Sequence, residues 1–213
     1  MKKILGLSIA ALLVMGLVGG GTWAYFSDPE TSTGNILSAG TLDLTLNGAN
    51  ANVNIMAGLV NKAPGDSDNT SFATLANAGS VAGELDIATG AATNTESVGA
   101  TEYEADVIGG AGAGELGANA EIAPWLDLNA DGVFDAGSDK ALKSDNTVVT
   151  TTLQWNTVDN FASKTWNEVI SANMTGTPRF YLAWRIPTSA NNTIQGDSFT
   201  LGFTFTLEQA AVD

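Results

Sequence analysis

The chain has 213 residues and is acidic, with 23 Asp and Glu residues against 8 Lys and Arg and a formal net charge of −15. A surface of this sign repels nucleic acid and anionic membranes but attracts divalent cations, so binding to DNA, RNA or a lipid surface is disfavoured. Cysteine and histidine are both absent. Disulfides therefore cannot stabilise the fold, and catalysis through a thiol or an imidazole is excluded.

Residues 1–24 have the layout of a secretory signal peptide. Lys2 and Lys3 form a short basic region, an apolar run extends from Ile4 to Val18, and Ala24 ends a small-residue cleavage site. The apolar run is short for a membrane span. We therefore predict cleavage after Ala24 and an extracellular or cell-surface location, with membrane attachment only before cleavage. An uncleaved N-terminal anchor is the alternative.

Beyond the leader, apolar and polar residues alternate with the period of two that half-buried antiparallel strands require. Turn sequences rich in Gly, Pro, Asn and Asp separate these segments. The pattern predicts an all-β fold, a jelly-roll-like antiparallel β-sandwich over residues 41–213. The predicted strands lie at residues 42–47, 84–89, 148–155, 180–186 and 199–207.

One segment has the spacing of a helix. Asp159 is suited to cap it, and apolar residues recur at helical intervals from Phe161 to Ile170. We predict a short helix that ends near Ser171. It is the one convincing helical pattern after the leader.

Residues 89–147 are predicted to be a variable insertion in the sandwich. Gly, Ala, Asn and Glu dominate as far as Ala123, and no hydrophobic pattern supports an independent domain there. The second part of the insertion carries a candidate metal-binding loop.

The candidate loop matches the first nine positions of a calcium-binding loop. Its oxygen-bearing side chains are Asp127, Asn129, Asp131 and Asp135, at positions 1, 3, 5 and 9, with a glycine at position 6. The acidic residue expected at position 12 is missing, and Asp139 follows one residue later. We predict a structural calcium ion here. An Asx-rich turn without an ion is the alternative.

Five short stretches together resemble the TasA/camelysin family. They are GGGTWAYFSD at 19–28, NILSAGTLDL at 35–44, APGD at 63–66, NAGS at 77–80 and GDSFTL at 196–201. The resemblance brackets the chain and implies export through a signal peptidase of the SipW kind. It further implies a jelly-roll subunit of extracellular fibres in a biofilm matrix, a homo-polymer in which the chain itself is the partner.

Residues 25–40 are a candidate donor strand for such a polymer. Tyr25, Phe26, Ile36 and Leu37 supply apolar anchors on either side of a polar stretch. An extended segment with anchors of this kind can add to the open sheet edge of a neighbouring subunit, and the resulting contact runs head-to-tail. These four residues are the predicted subunit interface. Pairing of the segment within its own subunit is the alternative.

Two other functions remain open from the sequence. Camelysin carries a metalloprotease label, but zinc proteases use histidine ligands, so we predict that this chain is not an enzyme. Catalysis by carboxylates alone is not excluded. A carbohydrate-binding β-sandwich is the other alternative, with a sugar platform drawn from Trp125, Trp155, Trp166 and Trp184.

Overall fold

The computed structural model describes residues 2–20, 39–55, 62–96, 114–171, 174, 176–194 and 196–209. The chain divides into two compact units, Met1–Ala39 and Gly40–Asp213. In the first unit, the apolar run of the leader forms helix α1 (Lys2–Gly20). Across the described residues, no helix combines the length and apolar character needed to span a membrane. The predicted cleavage site at Ala24 lies outside the described residues.

The second unit is built from strands joined by short turns. A four-residue helix and two 3-10 helices, Val158–Phe161 and Asn192–Ile194, are its described helical elements. In chain order, the strands and the helix are β1 (Leu44–Leu46), β2 (Ser67–Asp68), β3 (Phe72–Asn77), β4 (Gly83–Thr89), β5 (Thr93–Thr95), α2 (Leu116–Asn119), β6 (Glu121–Asp127), β7 (Lys140–Leu142), β8 (Val148–Val149), β9 (Asn156–Thr157), β10 (Thr165–Ile170), β11 (Arg179–Arg185), β12 (Ser198–Thr200) and β13 (Phe203–Gln209).

The strands form three antiparallel sheets. The largest runs β1-β3-β11-β6-β7-β8, with β2 also paired to β11 and β9 to β6. A three-stranded sheet runs β10-β4-β13, and β12 pairs with β5. Two ladders have seven residue pairs each: β11 with β6, from Arg179 opposite Asp127 to Arg185 opposite Glu121, and β13 with β4.

One hydrophobic core lies between the large sheet and the three-stranded sheet. Leu85 and Ile87 of β4 meet Phe180 of β11 in the same buried cluster, and all three are fully buried. Phe180 contacts the rings of Phe203 and Phe205 on β13, with centroids 5.0 and 4.9 Å apart. Two packed antiparallel sheets around one core confirm the prediction of an all-β sandwich.

The central strands of the large sheet are buried on both faces. Phe180, Leu182 and Trp184 belong to the main core as predicted. The intervening Tyr181 and Ala183 are buried as well. Tyr181 belongs to a second layer, in which Trp125, Ala141 and Tyr181 form a separate small cluster. The simple pattern of one buried and one solvated face therefore does not hold for β11.

The helix predicted to follow Asp159 is wrong. The structure has the 3-10 helix Val158–Phe161 and then strand β10. A bulge interrupts the pairing of β10 with β4 between Trp166 and Ile170, and Glu168 in it has a φ of 51°. Between these pairs, β10 advances four residues while β4 advances two, and Trp166 and Val169 are both buried. Their separation of three residues imitated a helical period.

Two predicted strands differ in extent. The segment 148–155 is a strand only at Val148–Val149, and residues 150–155 are irregular. The run 199–207 divides into β12 and β13, which belong to different sheets. Strand β6, inside the region predicted as an insertion, pairs with three other strands.

Candidate functional site

Two of the stretches that carry the family resemblance contact each other directly. The amides of Ser80 and Val81 donate to the carbonyl of Thr41, at 2.8 and 3.0 Å, and the Ser80 hydroxyl accepts from the Thr41 amide at 3.0 Å. Gly79 packs so closely that a Cβ atom there would lie 2.2 Å from the Thr41 carbonyl oxygen. Residues 41–43, which follow the candidate donor segment, are thereby held against the turn between β3 and β4.

Strand β13 presents an open sheet edge. Among the described strands, only β4 pairs with it. Phe203, Phe205 and Leu207 point to the core side, yet each stays partly exposed, whereas their register partners on β4 are buried. The exposure arises because no described strand covers the outer flank of β13. A seven-residue edge with a half-covered apolar row is a template for a further strand.

The predicted interface residues themselves cannot be positioned. Tyr25, Phe26, Ile36 and Leu37 lie outside the described residues. The structure therefore supplies a candidate acceptor edge but leaves the donor segment a prediction.

The candidate calcium loop is anchored by two buried carboxylates. Asp127 and Asp139 are both fully buried. Asp127 accepts hydrogen bonds from the amides of Ala130 and Gly132 at 2.6 and 2.8 Å. Asp139 accepts from the amides of Leu128 and Asp135 at 2.9 and 2.8 Å. Buried carboxylates need such donors, and each oxygen retains a further lone pair.

The remaining three predicted ligands lie on the exposed or half-buried rim of the loop. The Asn129 amide nitrogen donates to Asp131 Oδ2 at 3.0 Å and to Asp135 Oδ2 at 3.1 Å. A nitrogen donor thus sits between two carboxylates, where a cation would need the Asn129 amide oxygen instead. Rotation of that amide would exchange the two atoms. Calcium binding by this loop stays a prediction.

The loop is docked on the outer aromatic cluster of the large sheet. Phe134 meets Trp125 edge-to-face with ring centroids 5.5 Å apart, and Trp125 stacks on Tyr181 at 4.5 Å. A Cβ atom on Gly132 would lie 3.2 Å from the Tyr181 hydroxyl, and the φ of Gly132 is +84°. Glycine at this position satisfies both the backbone conformation and the close approach.

Three of the four tryptophans considered for a sugar platform are buried. Trp166 is fully buried, and Trp125 and Trp184 are 3% and 5% exposed. The Arg185 guanidinium lies over the Trp155 ring, 4.4 Å from its centroid, while it also pairs with Glu121. Trp125, Trp166 and Trp184 therefore offer no open face for a sugar, whereas Trp155 is half-buried with Arg185 over one face.

A second acidic group was not predicted from the sequence. Glu96, Glu115 and Asp197 have ligand atoms within 4.8 Å of one another. It is the one group of at least three acidic side chains in the described part of the chain that converges so closely. The three residues are distant in sequence and match no motif, so only the tertiary structure could have revealed them.

Comparison with known proteins identifies a relative and a family for this chain. The major biofilm matrix component of Bacillus subtilis (strain 168) is 48% identical over 67 residues. That alignment covers 31% of this chain and 24% of the relative, so the chain spans well under two thirds of the relative's length. The family model for camelysin metallo-endopeptidase matches residues 1–213. The chain therefore belongs to the camelysin family.

Proposed function

We propose that this protein is a structural subunit of extracellular filaments in a biofilm matrix. The partial match to a major biofilm matrix component supports the role in the matrix. The open edge of β13 supports filament formation and is the observation that carries the proposal. In this proposal, residues 25–40 of one subunit add as a strand along β13 of the next.

Strand addition at β13 combines two sources of affinity. Main-chain hydrogen bonds extend the β10-β4-β13 sheet, and apolar anchors of the donor cover the exposed parts of Phe203, Phe205 and Leu207. Thr204 and Thr206 are exposed on the opposite face, so the alternation also fixes the register of the incoming strand.

The assembly is head-to-tail because donor and acceptor are different surfaces. A contact of this kind does not close on itself and grows into a filament unless the rotation between subunits makes a ring. Pro29 in the donor has no N–H to give, which suits a strand with one unpaired side.

Removal of the donor tests the proposal most directly. A chain lacking Tyr25–Asn35 should remain monomeric by sedimentation and show no filaments by electron microscopy. A synthetic peptide of residues 25–38 should bind that variant and raise its melting temperature, and it should cap growth of the unmodified protein. Filaments of the deletion variant that match those of the full mature chain would contradict strand donation from this end.

Point variants test the two surfaces separately. Leu207→Asp should abolish elongation because a charge would enter an apolar contact without a partner. Thr206→Asp is the matched control on the exposed face of the same strand and should assemble normally. In the donor, Phe26→Asp and Ile36→Asp should weaken assembly far more than Glu30→Gln. Equal effects of the paired variants would refute the assignment of β13.

Proteolysis is the second candidate function, favoured by the family description as a metallo-endopeptidase. The chain offers no histidine or cysteine, so a catalytic metal would have to use oxygen ligands. Casein hydrolysis by the purified protein, measured with and without chelator, tests this function independently of filament growth. Metal-dependent cleavage that copurifies with the protein would establish it.

A further inference from the structure

Three carboxylates converge where two paired strands and a short helix meet. Glu96 directly follows β5, Asp197 directly precedes β12, and Glu115 precedes α2. The ligand atoms of the three side chains lie within 4.8 Å of one another. The group is separate in sequence from the candidate loop 127–139.

Backbone pairing imposes this convergence. Thr95 is paired with Ser198 at the end of the β5-β12 ladder, and Glu96 and Asp197 are the next residues beyond this pair. Asp197 Oδ2 then accepts hydrogen bonds from the amides of Glu115 and Leu116, at 2.6 and 3.2 Å. These two bonds hold the start of α2 against the end of the ladder and bring the Glu115 side chain to the other two.

The second oxygen of Asp197 is an observation separate from the convergence itself. Asp197 Oδ1 exposes less than 1 Å² and has no hydrogen-bond partner among the residues that the structure describes. No Lys or Arg of the described chain forms a salt bridge with Asp197. Burial of an unpaired carboxylate oxygen is costly, and adjacent carboxylates repel one another. A bound cation removes both penalties at once.

We propose that Glu96, Glu115 and Asp197 bind a calcium ion. Carboxylate oxygens are the ligands that hard divalent cations prefer. Oxygens at 2.3–2.6 Å from calcium are separated by up to about 5 Å across the ion, whereas magnesium allows only about 4 Å. Separations up to 4.8 Å leave room for calcium, which also accepts irregular oxygen geometry that magnesium does not.

The ion acts as a clasp at the base of the segment between Glu96 and Gly114. The chain leaves and returns at one point, since a Cβ atom on Gly114 would lie 2.8 Å from the Thr95 carbonyl carbon. Glu96 and Glu115 lie at the two ends of this segment, and Asp197 lies next to β12. An ion bound by all three residues cross-links the two ends to each other and to β12. Closing a chain segment in this way stabilises the folded state by limiting the freedom of the unfolded chain.

Calcium binding to the purified full chain, measured by equilibrium dialysis with elemental analysis, tests the clasp. Asp197→Asn keeps an oxygen for the amides of Glu115 and Leu116 but replaces a ligand oxygen with nitrogen. It should lose about one equivalent of bound calcium and the corresponding rise in melting temperature. The exposed Glu208→Gln is the control and should keep this equivalent.

A local measurement distinguishes the clasp from general stabilisation. Calcium should slow hydrogen exchange at the amides of Glu115 and Leu116 in the unmodified protein and in Asp131→Ala, but not in Asp197→Asn. Glu96→Gln should lack the calcium-dependent slowing of exchange, as Asp197→Asn does. It replaces Asp197→Asn as the test if that variant does not fold. Unchanged calcium stoichiometry and affinity in either folded variant would overturn the proposal. This outcome does not depend on whether the protein assembles into filaments.

Discussion

Asp139 closes the loop that begins at the end of β6 by bonding to the backbone of Leu128. Its Oδ1 atom accepts the Leu128 amide at 2.9 Å across a separation of 11 residues, and its Oδ2 atom accepts the Asp135 amide at 2.8 Å. Asp139 is fully buried. The side chain thus satisfies two amides and holds both halves of the loop together.

Asp139→Ala should lower the free energy of unfolding by about 2–4 kcal/mol, because two amides lose their acceptor. Urea denaturation in chelator measures this loss without any contribution from calcium. Asp131→Ala, on the exposed rim of the same loop, is the control and should change little under these conditions. A loss below about 0.5 kcal/mol for Asp139→Ala would show that water replaces the carboxylate at no cost.

Asp131→Ala should instead remove the stabilisation that calcium gives to the loop. We expect calcium to raise the free energy of unfolding by about 3 kcal/mol at a hundredfold excess over its Kd. The comparison is made in the Asp197→Asn background, so that the other acidic group does not contribute. Identical melting curves with calcium and with chelator in that background would mean that the loop is an Asx-rich turn.

The outer face of the three-stranded sheet should make stability depend on pH. Desolvation, followed by the charges of Glu168, Asp86 and Glu208, raises the pKa of Glu84 above its ordinary value of 4.5. Glu208 lies directly opposite Glu84 in the register of β13 and β4. The folded chain therefore binds this proton more tightly than the unfolded chain does.

Stability contributed by Glu84 accordingly rises as the pH falls from neutral through the raised pKa towards 4.5. We expect Glu84→Gln to increase the urea midpoint at neutral pH and to lose this advantage below about pH 4, where the carboxyl is protonated in both states. An equal gain at both pH values would show that the effect is not electrostatic.

Processing after Ala24 should precede assembly. N-terminal sequencing and intact mass of the protein recovered from culture medium are expected to begin at Tyr25. The control is Ala24→Lys, which should block cleavage and keep the chain with the membrane fraction. Secreted protein that retains Met1–Val18 would support an uncleaved anchor.

The sequence determined the fold class because alternation is a local consequence of burying one face of a strand. Leu85 and Ile87 alternate with Glu84 and Asp86, and that segment is a strand with the predicted buried side. The spacing of Trp166 and Val169 led to the wrong prediction of a helix, because it results from a bulge at Glu168. A residue distant in sequence stabilises this bulge, since the Asp86 carboxylate accepts the Glu168 amide at 2.7 Å. No local pattern contains that bond.

The same distinction separates the two acidic sites. Asp127 to Asp139 are close in sequence, so their spacing alone predicted a loop with oxygen ligands. Glu96, Glu115 and Asp197 became neighbours only through the pairing of β5 with β12 and the hydrogen bonds to the start of α2. The exposed edge of β13 was likewise decided by tertiary structure. Alternation in the sequence specifies which face of a strand is buried, but it does not specify the neighbouring strand. Whether an apolar row is fully covered depends on that neighbour.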